Sequence, residues 1–131
     1  MASDPQAIVA EFAKAIVEAR LDDARLLLHD DFVTHEAGGL PYSGEYLGAE
    51  GFFTLLGKMN EALELTLGHS VQFLLADNTA AMRSRVTFTS RATGKSAEMS
   101  LVEVYTVRDG LIVDLDVYYK DPSAVTALLA G

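Results

Sequence analysis

The stretch Glu98-Met99-Ser100-Leu101-Val102-Glu103-Val104-Tyr105-Thr106-Val107, closed by Asp109-Gly110 and answered by Leu111, Val113, Leu115, Val117 and Tyr119, decides how this chain is read. Side chains of a strand alternate between two faces, so every second residue shares a surface. Met99, Leu101, Glu103, Tyr105 and Val107 fall on one face; Ser100, Val102, Val104 and Thr106 fall on the other. Asp-Gly between two alternating runs is a strong hairpin signal. Glu103 is the residue that stands out. A carboxylate in an apolar stripe must be paired, hold its proton, or open onto a cavity. The last two describe an acid–base group in a pocket. The alternative is that the Val102 face is the buried one and Glu103 is solvated.

Working towards the N-terminus, the same alternation recurs in Ala80, Met82, Ser84, Val86 and Phe88, and in Val71, Phe73 and Leu75 after Gly68. Asp77-Asn78 and Thr93-Gly94-Lys95 read as the turns between these runs. Four long antiparallel strands therefore form a meander. Before Gly68 the period changes. Ile8, Phe12 and Ile16, joined by Val9 and Ala13, follow helical spacing, with Ser3 or Asp4 as cap and Pro5 in the first turn. A short second helix is expected over Leu21 to Leu28 and a short strand over Phe32 to His35. Residues 37–48 are rich in glycine and read as a loop. A third helix is expected from Ala49 to Glu64, with Phe52, Phe53, Leu55, Leu56, Met59 and Leu63 on its apolar face. Asp121-Pro122 ends the last strand and begins a short C-terminal helix to Leu129. Helices followed by a meander predict an α+β domain with helices packed on one face of a curved sheet. A sheet curled around helices encloses a cone-shaped cavity, a usual place for a small-molecule site.

The 131 residues suit one domain, and half of them are hydrophobic. No apolar run reaches the length of a transmembrane helix. Met1-Ala2-Ser3-Asp4-Pro5 lacks the basic start and apolar core of a secretion signal, so a cytoplasmic location is the default expectation. There is no cysteine, hence no disulfide framework and no thiolate chemistry. The net charge is −9, and the ten basic residues are scattered, which argues against nucleic acid and against an anionic membrane surface. His29, His35 and His69 show no paired ligand spacing, so no metal site is expected. No P-loop, GxGxxG or Ser-His-Asp order is present.

Element order, together with Asp30-Asp31-Phe32-Val33-Thr34-His35-Glu36, Leu40-Pro41-Tyr42-Ser43-Gly44-Glu45-Tyr46-Leu47-Gly48, and Asp109-Gly110-Leu111-Ile112-Val113 leading to Tyr118-Tyr119-Lys120-Asp121-Pro122, resembles the NTF2-like superfamily and within it the SnoaL-like, polyketide cyclase-like group. The resemblance covers essentially the whole chain. It implies a cone-shaped α+β barrel, with three N-terminal helices in the concave face of a mostly antiparallel sheet. It also implies a cavity walled by the end of the first strand, the inner face of the long strands and the first helix, and a homodimer through the outer sheet face, with Ile112 and Tyr118 as contacts. In the steroid-isomerase branch, a carboxylate base just after the first strand matches Glu36. A protonated acid on the third meander strand, donating to an oxyanion, matches Glu103. The hydrogen-bonding tyrosine of that branch's first helix matches Phe12, so half of that oxyanion hole is missing.

Glu36 and Glu103 are thus the candidate catalytic pair. Phe12, His35, Tyr42, Tyr46, Ser84, Tyr105, Val117 and Tyr119 are the candidate substrate-binding residues. His35 and Glu36 are adjacent and fall on opposite faces of a regular strand. Ser84 either donates to a ligand or satisfies a backbone group. Asp114 and Asp116 fall on the outer face, away from Leu115, Val117 and Tyr119. Two functions fit these residues. One is a cofactor-independent isomerase- or cyclase-like enzyme acting on an apolar, carbonyl-bearing compound, with Glu36 as base and Glu103 as donor. The other is a non-catalytic ligand-binding or dimerisation domain. A cavity below about 300 Å³ would leave only the second.

Overall fold

The computed structural model describes residues 4–130. Helix α1 (Pro5–Val17) begins at Asp4, whose carboxylate accepts from the amides of Gln6 and Ala7 at 3.0 and 3.4 Å, and Pro5 occupies the first turn as its fixed φ favours. The other expected cap, Ser3, lies outside the described residues. Helix α2 (Leu21–Arg25) is shorter than expected because Leu28 already belongs to strand β1 (Leu28–Glu36). Strand β2 (Gly44–Leu47) follows, then α3 (Gly48–Ala62), β3 (Leu63–Ala76), β4 (Thr79–Ser90), β5 (Ser96–Arg108), β6 (Leu111–Tyr119) and α4 (Pro122–Leu129).

The strands form one six-stranded sheet in the order β2-β1-β6-β5-β4-β3. Every neighbouring pair is antiparallel except β1 and β6. The meander from β3 to β6 is as the alternation predicts. The sheet curves without closing, so β2 and β3 remain edges and the cone is open rather than a barrel. Helices α1 and α3 fill its concave side, and their Phe12 and Phe52 meet Phe32, Phe88, Leu115 and Tyr105 in one core.

Three expectations are corrected. Residues 37–48 are not all loop: Gly44–Leu47 pairs with the end of β1, Glu36 opposite Gly44 and Thr34 opposite Tyr46. Glycine density marked the turn but hid a short edge strand. The long β3 begins at Leu63, directly from α3, rather than after Gly68. Gly68 instead sits where the β3–β4 register shifts between Leu67 and Ser70, so it marks an irregularity inside the strand, a usual role for a strand glycine.

The third correction concerns Ile112, expected on the outer face. Thr106 pairs with Asp114 and Val107 with Ile112, so one extra residue, Val113, is accommodated in β6. That bulge reverses the parity of the strand at its start, and Ile112 is fully buried in the core. The Asp109-Gly110 turn between β5 and β6 has φ of 56° and 76° at its two residues, the left-handed pair that a tight hairpin demands.

Candidate active site

The inner face of the sheet is laid out by pairing register. Tyr105 lies opposite Leu115, which lies opposite Thr34; Met82 opposite Glu103, which lies opposite Val117; Ser84 opposite Leu101, which lies opposite Tyr119. These three rungs line a cavity of about 490 Å³, roofed by Ala10, Ala13 and Lys14 of α1 and by Phe52, Leu55 and Met59 of α3. Leu65 and Leu67 of β3 stand at its open side, half in solvent. The cavity is large enough for a small organic ligand, above the roughly 300 Å³ at which such sites begin.

Glu36 and Glu103 both line it. The strands are roughly 4.8 Å apart, so two carboxylates separated by one intervening strand approach from backbones about 10 Å apart. Burial pushes the Glu36 carboxyl up to about 7, and the charge of Glu103 pushes the same way; the Ala37 amide, donating at 3.0 Å, and the Tyr119 hydroxyl pull against it. Burial raises Glu103 to about 7 as well, opposed only by the Tyr105 hydroxyl beside it. The donors differ in number, and donors to a carboxylate favour its ionised form. Glu36 has a backbone amide and a phenol; Glu103 has a phenol alone. Both carboxyls are nevertheless raised to the same range, and they are coupled, since the charge of Glu103 raises Glu36.

A tyrosine pair supports Glu36. The hydroxyls of Tyr42 and Tyr119 are 2.9 Å apart, and Tyr119 in turn reaches Glu36. Burial raises the Tyr42 phenol to about 12 and Tyr119 further, so both stay protonated and serve as donors. Tyr46 stands behind them, its hydroxyl donating to the Tyr42 carbonyl at 2.8 Å. The Tyr119 ring stacks on Phe88 at 5.4 Å, which fixes its tilt.

Of the residues singled out in the sequence, Glu36, Glu103, Ser84, Tyr105, Val117 and Tyr119 come together around the cavity. Four do not line it. Phe12 is buried, its ring edge-on to Tyr105 at 6.0 Å, and belongs to the packing behind the wall. Tyr42 and Tyr46 act one and two hydrogen bonds removed. His35 points to the outer face, because β1 stays regular between Val33 and Glu36; there its Nε2 meets Asp114 at 2.7 Å and its Nδ1 meets Glu45 at 2.9 Å. Ser84 is satisfied by another side chain, the Ser70 hydroxyl at 2.8 Å, rather than by backbone.

Three polar lining residues were not singled out: Ser70, paired with Ser84, and Lys14 and Thr34. Lys14 is, among the described residues, the only cation on the cavity wall. Thr34 is fully buried, and its hydroxyl has no hydrogen-bond partner among the described residues. The alternation Phe32-Thr34-Glu36 could have flagged it as inward-facing; nothing local shows that its hydroxyl is left unmatched.

The SnoaL-like domain family matches residues 9–115, which includes α3, strands β1 to β5 and both carboxylates. This chain belongs to the SnoaL-like family. Solved structures carry the same fold. An NTF2-like protein of Burkholderia thailandensis is 22% identical, with a TM-score of 0.86 over 95% of this chain and 97% of that one. A candidate polyketide cyclase of Xanthomonas campestris is 18% identical, with a TM-score of 0.81 over 96% of each chain. TerC, co-crystallised with polyporic acid, is 18% identical with a TM-score of 0.84, over 98% of this chain and 100% of that one. At these identities the likeness establishes the NTF2-like fold of this SnoaL-like chain and nothing finer. No curated protein matches it in sequence. Among the described residues no helix is long and apolar enough to cross a membrane.

Proposed function

We propose that this SnoaL-like protein is a cofactor-independent acid–base enzyme, isomerase- or cyclase-like, for an apolar carbonyl compound. The observation that carries the reading is that Glu36 and Glu103 face one apolar cavity, where burial raises both carboxyls to about 7. The substrate carbonyl accepts a hydrogen bond from protonated Glu103. Ionised Glu36 removes a proton from the adjacent carbon, and the electron pair moves onto the oxygen as an enolate. Returning the proton to a different carbon completes an isomerisation; in a ring closure the enolate carbon attacks a second carbonyl, whose π electrons move to its oxygen, and that oxygen takes the proton held by Glu36. Tyr119 and Tyr42 hold Glu36 in place, and the apolar walls keep both carboxyls near the pH at which they can exchange protons. Two similar folds support an organic substrate: one is named as a candidate polyketide cyclase and the other was co-crystallised with polyporic acid.

The test is proton exchange on 2-tetralone in deuterated water, followed by NMR above the buffer background. The wild type should accelerate exchange next to the carbonyl, and Glu36→Gln should abolish the acceleration. Exchange no faster than buffer at every pH between 5 and 8, with the ketone bound, would leave a binding protein.

That second reading has its own observation. Phe12 of α1 offers Glu103 no companion donor, being packed against Tyr105 and Phe52. Losing one oxyanion donor commonly costs about 10²–10³ in rate, so a non-catalytic pocket is the form the protein takes if exchange fails. Both readings include pairing of two copies through the outer sheet face, where Tyr118 is 54% exposed. Tyr118→Glu should then shift the protein to a smaller mass in light scattering.

A further inference from the structure

One stripe of α1 carries a charge to the ligand space. Ala10, Ala13, Lys14 and Val17 recur at the three-to-four spacing of a single helix face, and all four line the cavity. Lys14 is therefore set among small and apolar residues on the wall rather than on the face of α1 turned away from it. Val17, less than one turn further on, is exposed, as are Leu65 and Leu67 of β3, and Lys14 is exposed with them, so this part of the wall is the mouth. A lysine so placed lays its apolar stem along the wall and keeps its ammonium in water. Ion pairs among the described residues are made by arginines and histidines, and none by Lys14. The ionisable groups deeper in, Glu36 and Glu103, are of the opposite sign. The cavity thus has a carboxylic floor, mostly apolar walls and a cationic rim.

We propose that Lys14 is the partner of a carboxylate on the ligand, so that the protein selects an apolar ring ketone whose carbonyl enters first and whose negative charge stays at the mouth. The inference rests on the reading of Glu36 and Glu103 given above and adds a specificity group at the other end of the cavity. The direction follows from charge. A carboxylate carried to the floor would leave water for an apolar wall and meet the charge of Glu36. At the mouth it keeps part of its hydration, and the one fixed charge on the wall there is positive. A single ammonium is a point charge with three donors, which suits a carboxylate approaching from water without the fixed geometry an arginine fork would impose. The net charge of −9 disfavours anions over most of the surface. A cation at the entrance offsets that where the ligand must pass.

The experiment is calorimetric titration with 6-carboxy-2-tetralone, an anion at pH 7, and with its methyl ester, a neutral molecule with the same ring and ketone. At low salt the wild type should bind the acid about three- to fivefold more tightly than the ester, the size of a solvent-exposed ion pair. The preference should fade at about 1 M salt, where charges are screened within about 3 Å, which tests the contact without any variant. Lys14→Met keeps the apolar stem and loses the charge, and should lose the preference; Lys14→Arg should keep it. Lys95→Met removes the same charge from the β4–β5 turn, which does not line the cavity, and should keep the preference of the wild type. Both lysines are exposed, so each variant should melt as the wild type does. A preference that survives in Lys14→Met, or is lost equally in Lys95→Met, overturns the proposal, because the anion is then held elsewhere or only by the overall field. Equal binding of acid and ester by a wild type that exchanges protons next to the ketone overturns this inference and leaves the acid–base reading standing. A preference that depends on Lys14 in a wild type that exchanges no protons does the reverse. Failure of the wild type to bind either compound overturns both.

Discussion

Glu103 and Asp116 are near neighbours across β5 and β6, since Val104 pairs with Asp116 and Glu103 with Val117, yet their surroundings are opposite. Glu103 faces the apolar hollow and has one phenol for company. Asp116 faces outward and accepts from the exposed Tyr118 hydroxyl at 2.7 Å. The same contrast separates adjacent residues of β1: Glu36 turns into the cavity, while His35 turns outward to Asp114 and Glu45. One sheet thus carries two ionisable clusters, and the face alone decides which is held near a useful protonation equilibrium and which is a solvated ion network. Chemical type is a poor guide here; the strand's pleat is a good one.

That contrast breaks most sharply at Glu36. Glu36→Gln is isosteric and leaves the Ala37 amide a partner, so the fold should persist while proton exchange on a bound ketone drops about 10²–10⁴-fold, the usual contribution of a positioned base. An equal loss in Asp116→Asn would erase the distinction between faces.

The next effect is on stability against pH. The folded protein holds protons on Glu36 and Glu103 up to about 7, whereas the ordinary value is 4.5. Between those limits the native state binds more protons than the unfolded chain, so stability falls as pH rises, at about 1.4 kcal/mol per pKa unit for each group, with an upper bound of about 7 kcal/mol for the pair. Denaturant titrations at pH 5 and pH 8 should show the wild type losing stability and Glu103→Gln losing about half as much. A flat wild-type profile would mean that Glu103 is solvated.

On the outer face the expected changes are smaller. Burial opposes the His35 charge, but Asp114 and Glu45 outweigh it and raise the imidazole pKa. A raised histidine contributes stability below its ordinary value near 6.5, and this is lost as pH climbs through the folded value. His35→Gln should therefore cost no more than about 1 kcal/mol at pH 5, and less at pH 8, since the ring is partly exposed and screened. Loss of cavity binding in that variant would show that the two clusters are coupled through β1. Asp116→Asn, least of all, should move stability by less than about 0.5 kcal/mol and leave ligand binding unchanged, as thermal melts with and without ketone would show.

Much of this was legible in the chain. The meander and the Asp109-Gly110 hairpin follow from period-two alternation, which is a local property; alternation puts Glu103 on one face without saying which face is buried, and the inward reading of Glu36 and Glu103 rests on the family resemblance. The opposite facing of His35 and Glu36 follows from the same rule. Legibility failed where the outcome depended on partners distant in sequence. The β2 edge is defined by its pairing with β1, and a glycine-rich stretch carries no sign of that. Ile112 went to the wrong face because a single extra residue, Val113, resets the parity of β6, and only the register with β5 reveals it. Phe12 has the right position in α1 for a wall residue, but Phe52 and Tyr105 close over it.

By itself, then, the sequence determined which residues share a face, because the pleat of a strand is set by each residue's own tetrahedral centre. The tertiary structure alone decided which of those faces is roofed by α1 and α3, how many donors each carboxylate receives, and that the Thr34 hydroxyl is left without one. Those are sums over neighbours brought in from every part of the chain, and desolvation, the largest influence on Glu36 and Glu103, exists only once the helices have covered the sheet.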